Sequence, residues 1–417
     1  MADPLFSVNI QGSRKSIAAL DVAQILYLLI EIEPPPQRDA ARLPLNLCIV
    51  IDSSSSMKGE RLDHVRTAVK AVLEEMLAGD VLSLVAFNDS AEIILPPQKI
   101  ISSIKIEPVL KKITASGGSE LGSGLQTGIT QLSTSNLETH NNQLILITGA
   151  HTYGSESSCA NLAEKAAADG IEFSTFGIGS EWNDRFLDRL VSFSGGQSVY
   201  IDSPGKLDSS LEQRVESIGR NYAKNVRMIA NFTDEITLKS AVKVNPFAQQ
   251  LSVQNGQLNF GGAEEQKPLT VLLEFVISPI VAKNSLSVPI LLVADLPSLH
   301  IKDRTHTQKY DLEVLDNNPL LQPSEYLLHA VQAMNFHRMN ELAWQEIKVG
   351  AIEKATSRLH NLATRLLEQS KTEMAQRLLS EADRLMTWGS MSGEGRKALK
   401  YGTRALMEQS RTDEHQQ

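Results

Sequence analysis

Asp52, Ser54 and Ser56 stand at alternating positions of the stretch Asp52-Ser53-Ser54-Ser55-Ser56-Met57-Lys58-Gly59. That spacing can turn one carboxylate and two hydroxyls toward a single point, and an all-oxygen set suits a hard cation such as magnesium. A structural reading competes with it: serines ahead of a helix that starts near Lys58 can cap its free N–H groups.

Catalysis lacks a matching set. The chain carries no G-x-S-x-G elbow, H-E-x-x-H, P-loop or spaced dinucleotide glycines after a strand, and no histidine has a defensible place as a base for the serines. The expectation is a protein without enzymatic activity.

The elements that must position these residues are legible in outline. LNLCIVI, beginning at Leu45, is a short apolar run of the kind that forms a strand buried on both faces. Behind the serine turn, Leu62, Val65, Val69, Val72, Leu73 and Met76 recur at helical spacing. The alternation continues with a strand at 81–87, helical segments before and after Gly117-Gly118, and a strand at 144–148. A helix near 157–168, a strand at 172–178 and a helix at 183–193 follow. This rhythm predicts a doubly wound, mostly parallel sheet covered by helices, and the serine turn falls at its carboxyl edge, where open α/β sheets bind ligands.

Both flanks read as β structure. Residues 6–33 end in ILYLLIEIE, and 225–314 carry VRMIANF, LTVLLEFVI and VPILLVADL between Gly, Pro and Asn turns. The α/β unit is therefore expected as an insertion in a β-sandwich. The proline run PPPQRDAAR reads as a loop. After Asn317-Asn318-Pro319 the pattern turns helical, opening on Pro323-Ser324-Glu325 as cap and first turn and predicting a four-helix bundle. The expected divisions are 1–42 and 220–316 for the sandwich, 43–219 for the α/β domain, 317–410 for the bundle and 411–417 for a frayed tail.

Composition limits the function classes. With 40 basic and 49 acidic residues in 417, the formal net charge is −9, which gives no general attraction to nucleic acid or an anionic membrane. Two cysteines, Cys48 and Cys159, supply neither a disulfide framework nor a cysteine-based zinc site, and suit a reducing compartment. The first residues lack a signal-peptide pattern, and no apolar run approaches the roughly 20 residues of a membrane span. A cytoplasmic location is expected. Arg396, Lys397, Lys400 and Arg404 near Tyr401 read as an ordinary solvated basic face that could also meet an acidic partner.

Asp52, Ser54 and Ser56, with their placement and partner loops, resemble the D-x-S-x-S motif of von Willebrand factor A domains. The resemblance covers Leu45 to about Gly219. It implies a divalent-cation adhesion site in which a second loop supplies a hydroxyl, here Ser119 where the family usually has G-G-T. It also implies magnesium or manganese, an open coordination position for an acidic side chain of a partner protein, and an interaction scaffold as the function. One departure stands out: the family's T-D-G falls on Thr148-Gly149-Ala150, so Gly149 occupies the place of a carboxylate, which His151 cannot replace as a magnesium ligand. The site is therefore expected to be incomplete. Gly177-Ile178-Gly179 followed by Glu181-Trp182-Asn183-Asp184 resembles a bacterial subgroup with a sandwich and a helical C-terminal region. Here Trp182 and Asp184 could form a second contact surface, though a tryptophan packing a loop and an Asn or Asp capping a helix are the commoner arrangements. Similarity to that group also raises the alternative of an adaptor or regulatory subunit for an AAA-type ATPase or a kinase/phosphatase system.

Overall fold

A computed structural model describes residues 7–34, 43–99, 106–135, 138–152, 154–265, 267–280, 285–316 and 323–408. The expected loop after Pro34, the turn at 317–319 and the tail at 411–417 lie outside the described residues. The chain divides into two compact units, Met1–Gln322 and Pro323–Gln417.

In the first unit, six strands form the central sheet in the order Ala91–Lys99, Val81–Phe87, Leu45–Asp52, Asn141–Thr148, Ile171–Ile178 and Ser198–Ile201. All neighbours are parallel except the Ala91–Lys99 edge, which runs antiparallel to Val81–Phe87. Every residue of the four inner strands is buried. Helices on both faces favour near-continuous apolar strands, and LNLCIVI fits except at Asn46, whose buried side-chain amide donates to Leu132 O and to Asn142 Oδ1, each at 3.0 Å. On one face the helices Glu60–Glu75 and Leu207–Gly219 share a core with Ile49, Ile51, Leu82, Ile145, Ile147 and Phe176. Each such side chain contributes about 1.5–3 kcal/mol on leaving water.

Two further sheets share a second apolar core, which includes Leu26, Leu28, Ile30, Met228, Phe275 and Ile290. Gln24–Glu33, from before the α/β segment, pairs antiparallel with Leu269–Ile277, from after it, in register from Ile32 opposite Leu269 to Gln24 opposite Ile277. Ser16–Ala18 pairs with Ile301–Leu315 in the other sheet. The α/β segment thus interrupts the β unit in sequence. The side chains of Leu26, Leu28, Ile30 and Ile32 alternate into the core, which is the period of 2 that marked this strand in the sequence.

The second unit contains the helices Glu325–Lys348, Ile352–Glu368, Thr372–Trp388 and Gly393–Ala405. Ser324 caps the first, accepting from the Leu327 N–H at 3.3 Å. One expectation fails here. Lys397, Lys400 and Arg404 are buried, and Arg404 lies 4.9 Å from the centre of the Tyr401 ring, so these residues do not form a solvated basic face. Helical spacing placed them together but did not reveal that their aliphatic stems and charges are covered.

Candidate functional site

Asp52 ends its strand in the middle of the central sheet. The parallel register puts it beside Phe87 on one side and sets Ile51 beside Ile147 on the other, so Asp52 and Thr148 finish together at the carboxyl edge. Asp52 is fully buried. Its Oδ1 accepts the Ser54 N–H at 2.8 Å, while Oδ2 accepts the hydroxyls of Thr148 at 2.7 Å and Ser119 at 3.3 Å. A buried carboxylate remains charged at low cost only with such donors around it. The Ser54 and Ser56 hydroxyls lie 2.9 Å apart.

The two loops are tied to each other by main-chain bonds. The Ser116 N–H donates to Ser53 O at 2.9 Å, and the Ser55 N–H and hydroxyl both donate to Gly117 O, at 3.1 and 3.0 Å. This tie brings Ser119 to Asp52 across 67 positions of sequence. Ser54, at the N-cap of the Ser55–Met57 turn, makes no side-chain cap bond, and the helix Glu60–Glu75 opens on Gly59, also without one. The serine hydroxyls of this run are therefore not helix caps.

Two residues at the site escaped the sequence reading. Thr148 makes the shorter of the two hydroxyl contacts to Asp52; its cues were its place at the end of a neighbouring strand and its match to the threonine of the family's T-D-G, neither of which assigned it a role. Arg61, in the first turn of its helix, donates from Nη1 to Ser56 O at 3.0 Å. A Cβ placed on Gly149 would lie 3.4 Å from Arg61 Nη1 and 2.8 Å from Met57 Sδ. One placed on Gly179 would lie 3.0 Å from Arg61 Nη2. Among the described residues Arg61 forms no ion pair with a carboxylate.

Trp182 and Asp184 are buried. The indole N–H of Trp182 donates to Gly179 O at 2.7 Å, and Asn183 caps the helix Asp184–Ser192 by accepting from the Phe186 N–H at 3.2 Å. The structural reading of this stretch holds over a second contact surface. His151 is exposed. Cys48 and Cys159 are buried thiols in no disulfide, and burial pushes the Cys48 thiol up to about 12 and the Cys159 thiol up to about 11.

The donor set fits a hard cation in kind but not in charge. Asp52, Ser54, Ser56 and Ser119 offer oxygen alone, yet Asp52 is the one carboxylate among them, and the Arg61 guanidinium stands against the glycine where a second would be. With one carboxylate, and a guanidinium close by, a dication would be held more weakly than at a site with two. Among the described residues no group of three or more His, Cys, Asp and Glu side chains is placed to hold a metal.

Residues 46–213 match the von Willebrand factor type A domain family. This segment is a von Willebrand factor type A domain. Residues 325–409 match the Sll0103-like C-terminal α-helical domain. The chain is 28% identical over 217 residues to the protein sll0103 of Synechocystis, covering 51% of this chain and 52% of that one. It is 24% identical over 250 residues to YfbK of Escherichia coli, covering 58% and 43%. The chain thus spans about half the length of these curated relatives. A solved von Willebrand factor type A structure from Catenulispora acidiphila superposes with a TM-score of 0.76, at 14% identity and 96% coverage of both chains. The ArnB paralog VWA2 of Sulfolobus acidocaldarius gives 0.63, at 16% identity and 97% and 99% coverage. These likenesses extend the shared fold beyond the A domain to nearly the whole chain. In general, von Willebrand factor A domains are protein-interaction modules.

Proposed function

We propose that this chain is a non-enzymatic protein-binding scaffold whose A domain receives an acidic side chain of a partner at the carboxyl edge of its central sheet. The convergence of Asp52, Ser54, Ser56 and Ser119 at one point, by loops tied main chain to main chain, carries the reading. The proposal assigns 43–219 to the A domain, 1–42 and 220–316 to a sandwich around it, and 317–410 to a helical bundle. It also assigns the chain to the cytoplasm, on the strength of its two buried, unpaired thiols. No helix among the described residues is long and apolar enough to cross a membrane.

A second reading is cation-bridged, with magnesium or manganese held by Asp52, Ser54, Ser56 and Ser119. The all-oxygen character of the set favours it, and the single carboxylate weighs against it. The deciding experiment captures partners on the immobilised full chain from an extract of its source cells, with and without chelator. A partner retained by the wild type and by Lys165→Glu on the distant end of its helix, and weakened at least tenfold by Ser56→Glu, is the expected result. A partner indifferent to Ser56→Glu removes the site from recognition; one lost on chelation selects the cation-bridged form.

A further inference from the structure

The Arg61 guanidinium is wedged where two positions lack side chains. Its Nη1 bonds to Ser56 O and faces Gly149, and its Nη2 faces Gly179, whose φ of +71° disfavours any larger residue there. Ser56 therefore connects both parts of the site: its hydroxyl sits 2.9 Å from that of Ser54, and its carbonyl oxygen sits 3.0 Å from Arg61. A Cβ on Gly149 would stand 3.4 Å from Arg61 Nη1, with Met57 Sδ at 2.8 Å having to give way, so an aspartate there would bring a carboxylate within reach of this guanidinium. With glycine there, and no other carboxylate paired to Arg61 among the described residues, the positive charge persists at the edge. Guanidinium does not lose its proton in a protein, and its planar fork matches a carboxylate through two parallel N–H donors.

We propose that Arg61 is the resident cation of this site: it binds the partner's carboxylate directly, beside the Ser54 and Ser56 hydroxyls, and it opposes a dication there. The disagreement between the residues present and a bound metal then has a cause in the chain itself. The inference rests on the reading that an acidic side chain docks at this edge, and it adds which group receives it.

The charge is tested without any partner, using manganese alone as probe, by calorimetric titration at low ionic strength of the wild type, Arg61→Gln, Arg61→Lys, Gly149→Asp and the Arg61→Gln/Gly149→Asp double variant. Removing the guanidinium raises manganese affinity about tenfold both in the wild-type background and in the Gly149→Asp background, while Arg61→Lys, which keeps the charge, leaves it near the wild type. Unchanged affinity in both backgrounds, or an equal rise in Arg61→Lys, overturns the proposal. Carboxylate reception is tested on the partner captured above, in chelator. Arg61→Gln weakens it at least tenfold and Arg61→Lys weakens it less. If Ser56→Glu abolishes capture and Arg61→Gln does not, the docking edge stands and the role of Arg61 falls; if neither matters, the docking edge itself falls.

Discussion

At the scale of single residues, Asp52 depends on its hydroxyl donors unequally. The Thr148 contact at 2.7 Å is short and the Ser119 contact at 3.3 Å is long for an O–H···O bond. Replacing Thr148 by the similarly shaped valine strips a fully buried carboxylate of its better donor, a loss of about 1–3 kcal/mol. Ser119→Ala is expected to cost less, below about 1 kcal/mol. Urea unfolding of the two variants side by side checks the order, and a larger loss from Ser119→Ala would reverse the assignment of the principal donor. The same pair of contacts shows what sequence could and could not reveal at this scale. Asp52, Ser54 and Ser56 were visible because their spacing is local. Ser119 was visible only through the likeness of its loop to a family pattern. Thr148 and Arg61 needed the parallel register and the helix path to bring them in.

At the scale of elements, the loop after Ile171–Ile178 supports the wall behind Arg61. The Trp182 ring folds back over Gly177, where a Cβ would lie 2.0 Å from its Cε2, and its N–H holds Gly179 O. Gly177→Ala forces the buried ring out of place, an overpacking cost of about 1–3 kcal/mol, and moves Gly179 away from the guanidinium. Expected outcomes are a lower melting temperature and a weakened near-ultraviolet tryptophan signal; an unchanged spectrum would show that the ring is not locked on this glycine. Elements also mark where sequence patterns stopped short. The inner strands announced themselves because burial on both faces favours apolar runs such as Leu144–Ile147 and Leu47–Ile51. The edge strand Ala91–Lys99 did not, because one side is solvated and it contains Pro96 and Pro97, residues tolerated in sheets mainly at edges. Ser198–Ile201 is too short, at four residues, to show a period.

At the scale of the first unit, the joint between the A domain and the β sheets that flank it in sequence is a buried ionic cluster. Arg214 pairs with Glu172 at 2.6 Å and donates to Ser174 at 2.9 Å, and the other Glu172 oxygen accepts the Gly262 N–H at 2.9 Å. Lys243, from the strand Ile236–Asn245, crosses the joint to donate to Gly195 O and lies 4.2 Å from the centre of the Phe247 ring. Burial, above all, pulls the Lys243 amine down from 10.5 to about 7, against the opposing pull of Glu172. A depressed amine makes the folded chain bind fewer protons than the unfolded one between about pH 7 and 10.5. Stability must then rise with pH across that window, by up to about 1.4 kcal/mol per unit from this one group. Below about pH 7 the amine is protonated in both states and its contribution to the slope disappears. Lys243→Met keeps the stem in the joint and removes the titration, so its unfolding free energy is expected to climb less steeply between about pH 7.5 and 9.5 than that of the wild type. Lys224, lowered by burial to about 8, leaves part of the rise in place in both proteins, and the difference between the two slopes isolates Lys243. Parallel slopes would mean that the amine stays charged in the joint, held by Glu172 and the Phe247 ring rather than neutralised by burial.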